Sequence, residues 1–248
     1  MSRISRAIER AGKEERRHVD GPPVPRSGRM MTAAALGRLS VPDAGEYQTL
    51  ASEIAMALPE GPSRIVTFAS SVAGEGTSTV ARGFALVLAV QGAVDTLLVD
   101  ANLRRPGLHD IFRVPLDPGL SDHILADTPL SDCIRNVGVP HFSLLPAGRP
   151  VMAPPRVSGH DRVERMLSEI RRRFQYAVLD VPPLLSFSEG IELSRKTDGV
   201  IVVIRAGRTR RQLVERSLEL LGDAGANVLG TVLNRRRFYV PQFVYERL

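Results

Sequence analysis

The sequence predicts a three-layer α/β domain with a mainly parallel sheet. Apolar, strand-like runs alternate with helical patterns from about residue 45 to residue 237, as in sheets whose parallel strands are joined by helices. The run over residues 94–100 is largely apolar, which is typical of a strand buried on both faces. A glycine-rich turn joins the first run to a long helical pattern, as in α/β domains that bind ligands at the carboxyl ends of their strands.

The elements follow in order. Strands are predicted over residues 64–70, 94–100, 142–145, 176–180, 199–205 and 227–233, and prolines at 182 and 183 end the fourth. Helices are predicted over residues 46–58, from the glycine-rich turn to about 91, and over 120–126, 130–136, 161–174 and 210–221. In the helix over 161–174, apolar residues fall on one side at helical spacing, so that side packs on the sheet. Residues 146–157 are rich in proline and are predicted to be a loop.

Length and composition indicate one folded domain with tails. The chain has 248 residues, of which 43% are hydrophobic, enough for a sizeable core. We expect a tail over residues 1–20, a linker over 21–44, the domain over 45–237 and a C-terminal tail over 238–248. No apolar run approaches the roughly 18 residues that span a bilayer. The single cysteine, Cys133, excludes an internal disulfide and is predicted to be a small buried hydrophobe.

Positive charge is concentrated at the N-terminus. The net charge is +6, and the first 30 residues carry eight Arg or Lys against four Asp or Glu. The domain is therefore nearly neutral, and we expect no nucleic-acid partner for it. Residues 1–17 combine a small apolar stripe with a basic one. Two interpretations stay open for this segment: an amphipathic helix that contacts an anionic membrane surface or a partner, or a solvated tail.

The glycine-rich turn has the form of a phosphate-binding loop. Residues 71–79 read Ser-Val-Ala-Gly-Glu-Gly-Thr-Ser-Thr, and such loops hold phosphate through backbone N–H groups and a helix N-terminus. A complete loop carries Lys after its last glycine. Thr77 occupies that position here. The chain has only two lysines, Lys13 and Lys196, and both lie far from the loop in sequence. A plain tight turn is the alternative. The predicted nucleotide contacts are Gly74, Glu75, Gly76, Thr77, Ser78 and Thr79.

Two further predicted strands end in a carboxylate, at Asp100 and at Asp180. Because carboxyl ends of parallel strands share one edge of a sheet, we expect both to meet the phosphate loop. There Ser78, Asp100 and Asp180 would ligate Mg²⁺, and Asp100 would accept a hydroxyl proton. The alternative for Asp100 is a cap on the following loop, with Arg104 and Arg105 solvated.

Together these motifs resemble the cytoplasmic tyrosine kinases of bacterial capsule and exopolysaccharide systems (the CpsD/CapB type), a family in the MinD/ParA-like P-loop class. The likeness covers roughly residues 45–237 and includes the segments 97–106, 119–122, 144–148, 179–183, 197–200, 205–209 and 225–235. The resemblance implies that ATP and Mg²⁺ are the cofactors and that Asp100 and Arg104 are catalytic. It also implies that Asn234 approaches the adenine.

The chain departs from the family pattern at several positions. Thr77 replaces the phosphate-loop lysine, and Asn102 replaces the second aspartate of the second motif. The family's ring-forming Glu and Arg positions correspond to Gly45, Gln48 and Ala51. Only Tyr239 and Tyr245 remain of its C-terminal tyrosine cluster.

We therefore predict a kinase-like regulator of exopolysaccharide or capsule synthesis that binds ATP weakly or not at all. The resemblance implies a cytoplasmic protein, peripheral at the inner membrane, beside a membrane chain-length (co-polymerase) protein. A charged hydrogen bond to phosphate contributes about 1.5–3 kcal/mol, so losing the lysine weakens binding about 10- to 150-fold. One alternative is an active ATP-dependent tyrosine kinase in which Arg82, Arg104 or Arg105 supplies the cation. Another is a ParA-like positioning ATPase, against which the near-neutral domain argues.

Overall fold

The computed structural model describes residues 44–151 and 160–235, and a sheet between two layers of helices forms their centre. The N-terminal tail, nearly all of the linker and the C-terminal tail predicted from the sequence lie outside these residues. The strands are β1 (Arg64–Ser70), β2 (Thr96–Asp100), β3 (Arg135–Asn136), β4 (Phe142–Leu145), β5 (Tyr176–Asp180), β6 (Gly199–Arg205) and β7 (Val228–Asn234). The helices are α1 (Ala44–Ala57), α2 (Thr77–Val90), α3 (Leu108–Phe112), α4 (Leu120–Ala126), α5 (Leu130–Cys133), α6 (His160–Arg173), α7 (Ser188–Ser194) and α8 (Arg211–Asp223).

The sheet confirms the predicted fold class. Its strand order is β3-β4-β2-β5-β1-β6-β7, and every neighbouring pair is parallel except β3 with β4. β1 lies between β5 and β6, and β5 lies between β1 and β2. The carboxyl ends of these central strands therefore share one edge of the sheet.

The core has two parts, one on each face of the sheet. Side chains alternate along β1, so that Ile65 packs in one cluster and Val66 and Phe68 in the other. The Ile65 side is covered by α4 to α8, and the Phe68 side by α1 to α3. Cys133 is fully buried in the first cluster, as predicted. Among the described residues, no helix is both long and apolar enough to cross a membrane.

The sequence prediction was wrong at one helix and missed two others. The helix predicted over residues 130–136 ends at Cys133, and Arg135 and Asn136 pair instead with β4 as an antiparallel edge strand. The missed helices, α3 and α7, have five and seven residues. Such short helices carry too few turns for an apolar stripe to be recognised, since helical stability in proteins comes mainly from tertiary packing.

Backbone hydrogen bonds join two of the sequence motifs, the segments 119–122 and 144–148. The N–H groups of Leu120 and Ser121 donate to the carbonyls of Pro146 and Ala147, at 2.8 and 2.9 Å. Gly119 lies so close to the second segment that a Cβ there would be 2.3 Å from the N atom of Gly148. The glycine is thus required by a neighbouring backbone, which fixes α4 against the end of β4.

Gly119→Ala tests this contact. Because the obstructing atoms are backbone, we expect a loss of about 1–3 kcal/mol in the free energy of unfolding, as in overpacked sites. The control is Gly222→Ala in α8, where a Cβ meets nothing within 4 Å. A helical glycine replaced by alanine gains about 0.5–1 kcal/mol. Chemical denaturation of both variants measures the difference, and equal stability of the two would contradict the contact.

Candidate functional site

The loop between β1 and α2 has a backbone that requires its glycines. Gly74 and Gly76 have φ angles of 85° and 95°, in the left-handed region that glycine adopts at little cost. A Cβ at Gly76 would also lie 2.1 Å from the side-chain nitrogen of Asn234. The glycine therefore serves a close approach between the loop and the end of β7. The alternative interpretation of the loop, a plain tight turn, requires only a flexible residue and does not account for this contact.

The loop delivers the N-terminus of α2 to the carboxyl edge of the sheet. The N–H groups of Thr79 and Val80 donate to the carbonyl of Gly76, so the helix begins immediately after the glycine. The first N–H groups of a helix have no partner within it and attract anions. Thr77 is only 8% exposed and brings no charge to this position. Ser78 is half-buried and Thr79 is exposed.

Two carboxylates meet beside this helix start. Asp100 and Asp180 end β2 and β5 and are paired in the sheet register, and both are buried. Burial, and next the nearby Asp100, raise the pKa of Asp180 to about 8, while a hydrogen bond with the Ser78 side chain lowers it. The structure thus brings together the three residues for which the sequence predicted Mg²⁺ ligation. Buried acids of raised pKa are costly to ionise, and a bound cation offsets that cost.

Asp100 also organises the chain that follows it. One carboxylate oxygen accepts the N–H groups of Gly107 and Leu108, both at 3.0 Å, where α3 begins. The other accepts the N–H of Asn102 at 3.2 Å. Burial raises the pKa of Asp100, although these backbone donors act in the opposite direction. The loop-capping alternative therefore describes contacts that Asp100 makes in this structure.

Arg104 is held by residues that the sequence analysis missed. Its Nη2 lies 2.6 Å from a carboxylate oxygen of Glu189, and its guanidinium stacks 4.5 Å from the ring centroid of Phe187. Phe187 and Glu189 lie at the start of α7, a helix not recognised in the sequence. Arg104 thus links the loop after β2 to the segment after β5, so the solvated alternative for Arg104 does not describe this structure.

Glu75 points into the protein. Its side chain is buried, and its carboxylate accepts the N–H of Val72 at 3.0 Å and the hydroxyl of Thr209. Its backbone carbonyl accepts the side-chain N–H of Asn234 at 2.9 Å. Glu75 was predicted to contact the cofactor, but its contacts in this structure hold the loop in shape.

The phosphate loop is fastened to the β6–α8 connection. Arg205 Nη1 lies 3.5 Å from the Gly74 carbonyl oxygen, and its backbone N–H donates to the Thr209 hydroxyl at 3.2 Å. In the sequence, Arg205 and Thr209 stand out only as the ends of the segment 205–209.

A separate cleft of about 550 Å³, lined in part by Arg171 and Lys196, lies at the opposite, amino edge of the sheet.

Asp180→Asn tests the buried carboxylate pair. An unfolded aspartate has a pKa of about 4, and in the folded chain the pKa is about 8. The folded chain therefore keeps a proton that the unfolded chain has lost, and the free energy of unfolding falls as pH rises from about 4 to about 8. We expect Asp180→Asn to raise the melting temperature more at pH 8 than at pH 5. The control is Asp223→Asn at the exposed end of α8, and an equal effect of Asp180→Asn at both pH values would contradict the prediction.

Comparisons with known proteins agree on the relationship. No protein-family profile matches the chain. The tyrosine-protein kinase CpsD of Streptococcus agalactiae is 30% identical over 173 residues, which are 69% of this chain and 74% of that protein. YwqD of Bacillus subtilis, also a tyrosine-protein kinase, is 26% identical over 77% of this chain and 81% of its own length. Against the longer kinase ptk of Acinetobacter johnsonii, the match spans only a quarter of the relative.

Solved structures show the same fold. The kinase domain of VpsO superposes with a TM-score of 0.69 at 28% identity, over 82% of this chain and 97% of that domain. The kinase domain of Escherichia coli ETK gives 0.74 at 24% identity, over 87% and 86%. The cell-division ATPase MinD of Pyrococcus furiosus shares the fold at a TM-score of 0.60 and 21% identity, over 74% and 78%. The match to CpsD establishes that the chain belongs to the bacterial tyrosine-kinase family.

Proposed function

We propose that this chain is a kinase-like P-loop regulator of exopolysaccharide or capsule biosynthesis that binds Mg-ATP weakly. The observation that carries the proposal is a phosphate loop with its glycine conformations in place and a neutral, buried Thr77 in the lysine position. Family membership supports the pathway. The partner that fits this family is a membrane chain-length (co-polymerase) protein.

The residues at the loop fit Mg²⁺ better than they fit phosphate alone. Ser78 and Asp180 would hold the ion, and Asp100 lies beside them. Bound there, Mg²⁺ would neutralise negative charge on the phosphates of ATP. The loop N–H groups and the start of α2 would bind phosphate oxygens. Because Thr77 brings no charge, Mg²⁺ would supply positive charge that this position of the loop lacks.

Contacts that Asp100 and Arg104 make within the protein limit catalysis. Asp100 is engaged by three backbone N–H groups, and Arg104 is engaged by Glu189 and Phe187. Asn102 keeps an acceptor in the second motif but lacks the charge of aspartate. Losing one preorganised group that stabilises a transition state typically costs about 10²–10³ in rate. Regulation through weak nucleotide binding therefore fits the site better than efficient phosphoryl transfer.

Thr77→Lys tests the affinity. Restoring the cation should strengthen Mg-ATP binding about 10- to 150-fold, which corresponds to one charged hydrogen bond. Isothermal titration of wild type, Thr77→Lys and the neutral, long-chain control Thr77→Met measures it. Tight binding by the wild type that the lysine leaves unchanged would contradict the proposal.

Autophosphorylation distinguishes the regulator from the active kinase. The chain has four tyrosines. Tyr176 is buried and Tyr47 half-buried, while Tyr239 and Tyr245 lie outside the described residues. We expect little phosphate on any of them after incubation with Mg-ATP, as measured by mass spectrometry. Stoichiometric phosphate on a tail tyrosine that disappears in Asp180→Asn would favour the active kinase.

Membrane attachment through residues 1–17 is a further part of the proposal, although these residues lie outside the structure. Basic residues contribute about 1 kcal/mol each near an anionic surface, and this segment has six Arg or Lys. We expect the full chain, but not a chain lacking residues 1–20, to co-sediment with phosphatidylserine vesicles at low salt. Equal sedimentation of both chains would remove the membrane role of this segment.

A further inference from the structure

Three exposed arginines lie where β6 and β7 end, and they are called the basic patch below. Arg208 and Arg210 belong to the β6–α8 connection, and Arg235 follows β7 directly. We propose that the folded domain itself docks on an anionic membrane surface through the basic patch. The inference rests on the membrane location in the proposed function, and it adds a contact that is separate from residues 1–17.

The sheet register brings the two segments of the basic patch together. β6 and β7 are parallel, and Arg205 at the end of β6 is paired with Asn234 at the end of β7. The N–H of Ala206 donates to the Asn234 carbonyl at 2.9 Å, so the pairing continues into the β6–α8 connection. Arg235 is the next residue after Asn234, and Arg208 lies two residues after Ala206. The patch therefore forms at one edge of the sheet from segments that are separated in sequence by α8 and β7.

Hydrogen bonds hold the side chain of Thr209 inside the protein and leave its two neighbours outside. The Thr209 hydroxyl binds the buried Glu75 carboxylate and accepts the N–H of Arg205. Arg208 and Arg210, on either side of Thr209, are both exposed. Because this connection is fixed to the domain, docking through its arginines requires little ordering of the backbone.

Acidic side chains do not neutralise the basic patch. Further along α8, Arg211 pairs with Glu215 at 2.6 Å. Arg216 likewise pairs with Glu219, at 3.0 Å. The one other acid between residues 199 and 235, Asp223, lies at the far end of α8. The three arginines of the patch take part in no ion pair within the described part of the chain. The patch therefore carries positive charge that attracts an anionic surface within a Debye length, about 8–10 Å near physiological salt.

An exposed apolar side chain accompanies the arginines. Leu233, two residues before Arg235, is 54% exposed, and the sequence continues after Arg235 with Arg-Arg-Phe-Tyr over residues 236–239. Basic side chains together with leucine and aromatic residues are typical of protein surfaces that lie in the headgroup region of a membrane. An acidic protein segment offers negative charge alone, whereas an anionic membrane offers negative charge with an apolar layer beneath it. The combination of charge and apolar exposure therefore favours the membrane.

Sedimentation of the full chain with phosphatidylserine vesicles at low salt tests the basic patch. The double variant Arg208→Gln/Arg235→Gln removes one arginine from each segment of the patch. The control, Arg113→Gln/Arg172→Gln, removes two exposed arginines elsewhere, and Arg113 has the same φ angle of 56° as Arg235. Each lost contact of a basic residue with an anionic surface lowers the partition coefficient about fivefold. We therefore expect a loss of about 25-fold in the patch variant, most of it restored by Arg208→Lys/Arg235→Lys, and binding close to that of the wild type in the control. Melting temperatures of all variants check that the fold is intact.

An environment-sensitive fluorescent label shows which part of the domain meets the membrane. Leu233→Cys places the label beside the basic patch. Ile111→Cys places it at a 42% exposed position of α3, a helix that contacts β4 towards the other end of the strand order. The native Cys133 is buried, so the label reacts at the introduced cysteine. With phosphatidylserine vesicles, the emission of the label at position 233 should shift to the blue, and the emission at position 111 should stay unchanged.

The outcomes separate this inference from the proposed function. Equal sedimentation of the wild type and Arg208→Gln/Arg235→Gln overturns docking through the basic patch, as does an equal loss in the control variant or an equal blue shift at both labelled positions. In these cases, loss of sedimentation on removal of residues 1–20 still supports membrane attachment through that segment. Binding of a polyglutamate peptide to the patch by a chain that does not sediment with vesicles assigns the patch to an acidic protein segment and overturns the membrane contact. A wild type that binds neither overturns this inference together with the membrane part of the proposed function.

Discussion

Parallel pairing of β1, β5 and β2 is the constraint on which the rest of the site depends. It sets Asp100 opposite Asp180 and places the loop after β1 at the same edge of the sheet. The same register buries two carboxylates side by side, which raises the pKa of both. The fold itself thus carries an electrostatic cost at this edge of the sheet, because both acids are costly to ionise where they are buried.

The phosphate loop keeps its shape without the lysine because other groups fix it. The buried Glu75 carboxylate binds the loop N–H of Val72 from within, and Asn234 binds the Glu75 carbonyl from β7. The same asparagine lies so close to Gly76 that any side chain at this position would collide with it. None of these contacts involves the side chain of Thr77, so the shape of the loop does not depend on a lysine at that position.

Two residues of the second motif, Asp100 and Arg104, make contacts that stabilise the folded chain. Asp100 holds the start of α3, and Arg104 joins the loop after β2 to Glu189 and Phe187. Both contacts stabilise the edge of the sheet without any nucleotide. Their presence in the sequence therefore does not separate a kinase from a kinase-like regulator.

The sequence by itself determined the fold class, six of the seven strands, the glycine loop and the position of each carboxylate at a strand end. These features are local, because strand hydrophobicity, glycine conformation and strand-end polarity are written in neighbouring residues. Only the tertiary structure decided what the side chains touch. The partner of Arg104 lies 85 residues away, that of Glu75 lies 134 residues away, and Arg205 reaches the loop across 131 residues. The helices α3 and α7 and the two-residue strand β3 were missed for a different reason, because each is too short to show a periodic apolar pattern.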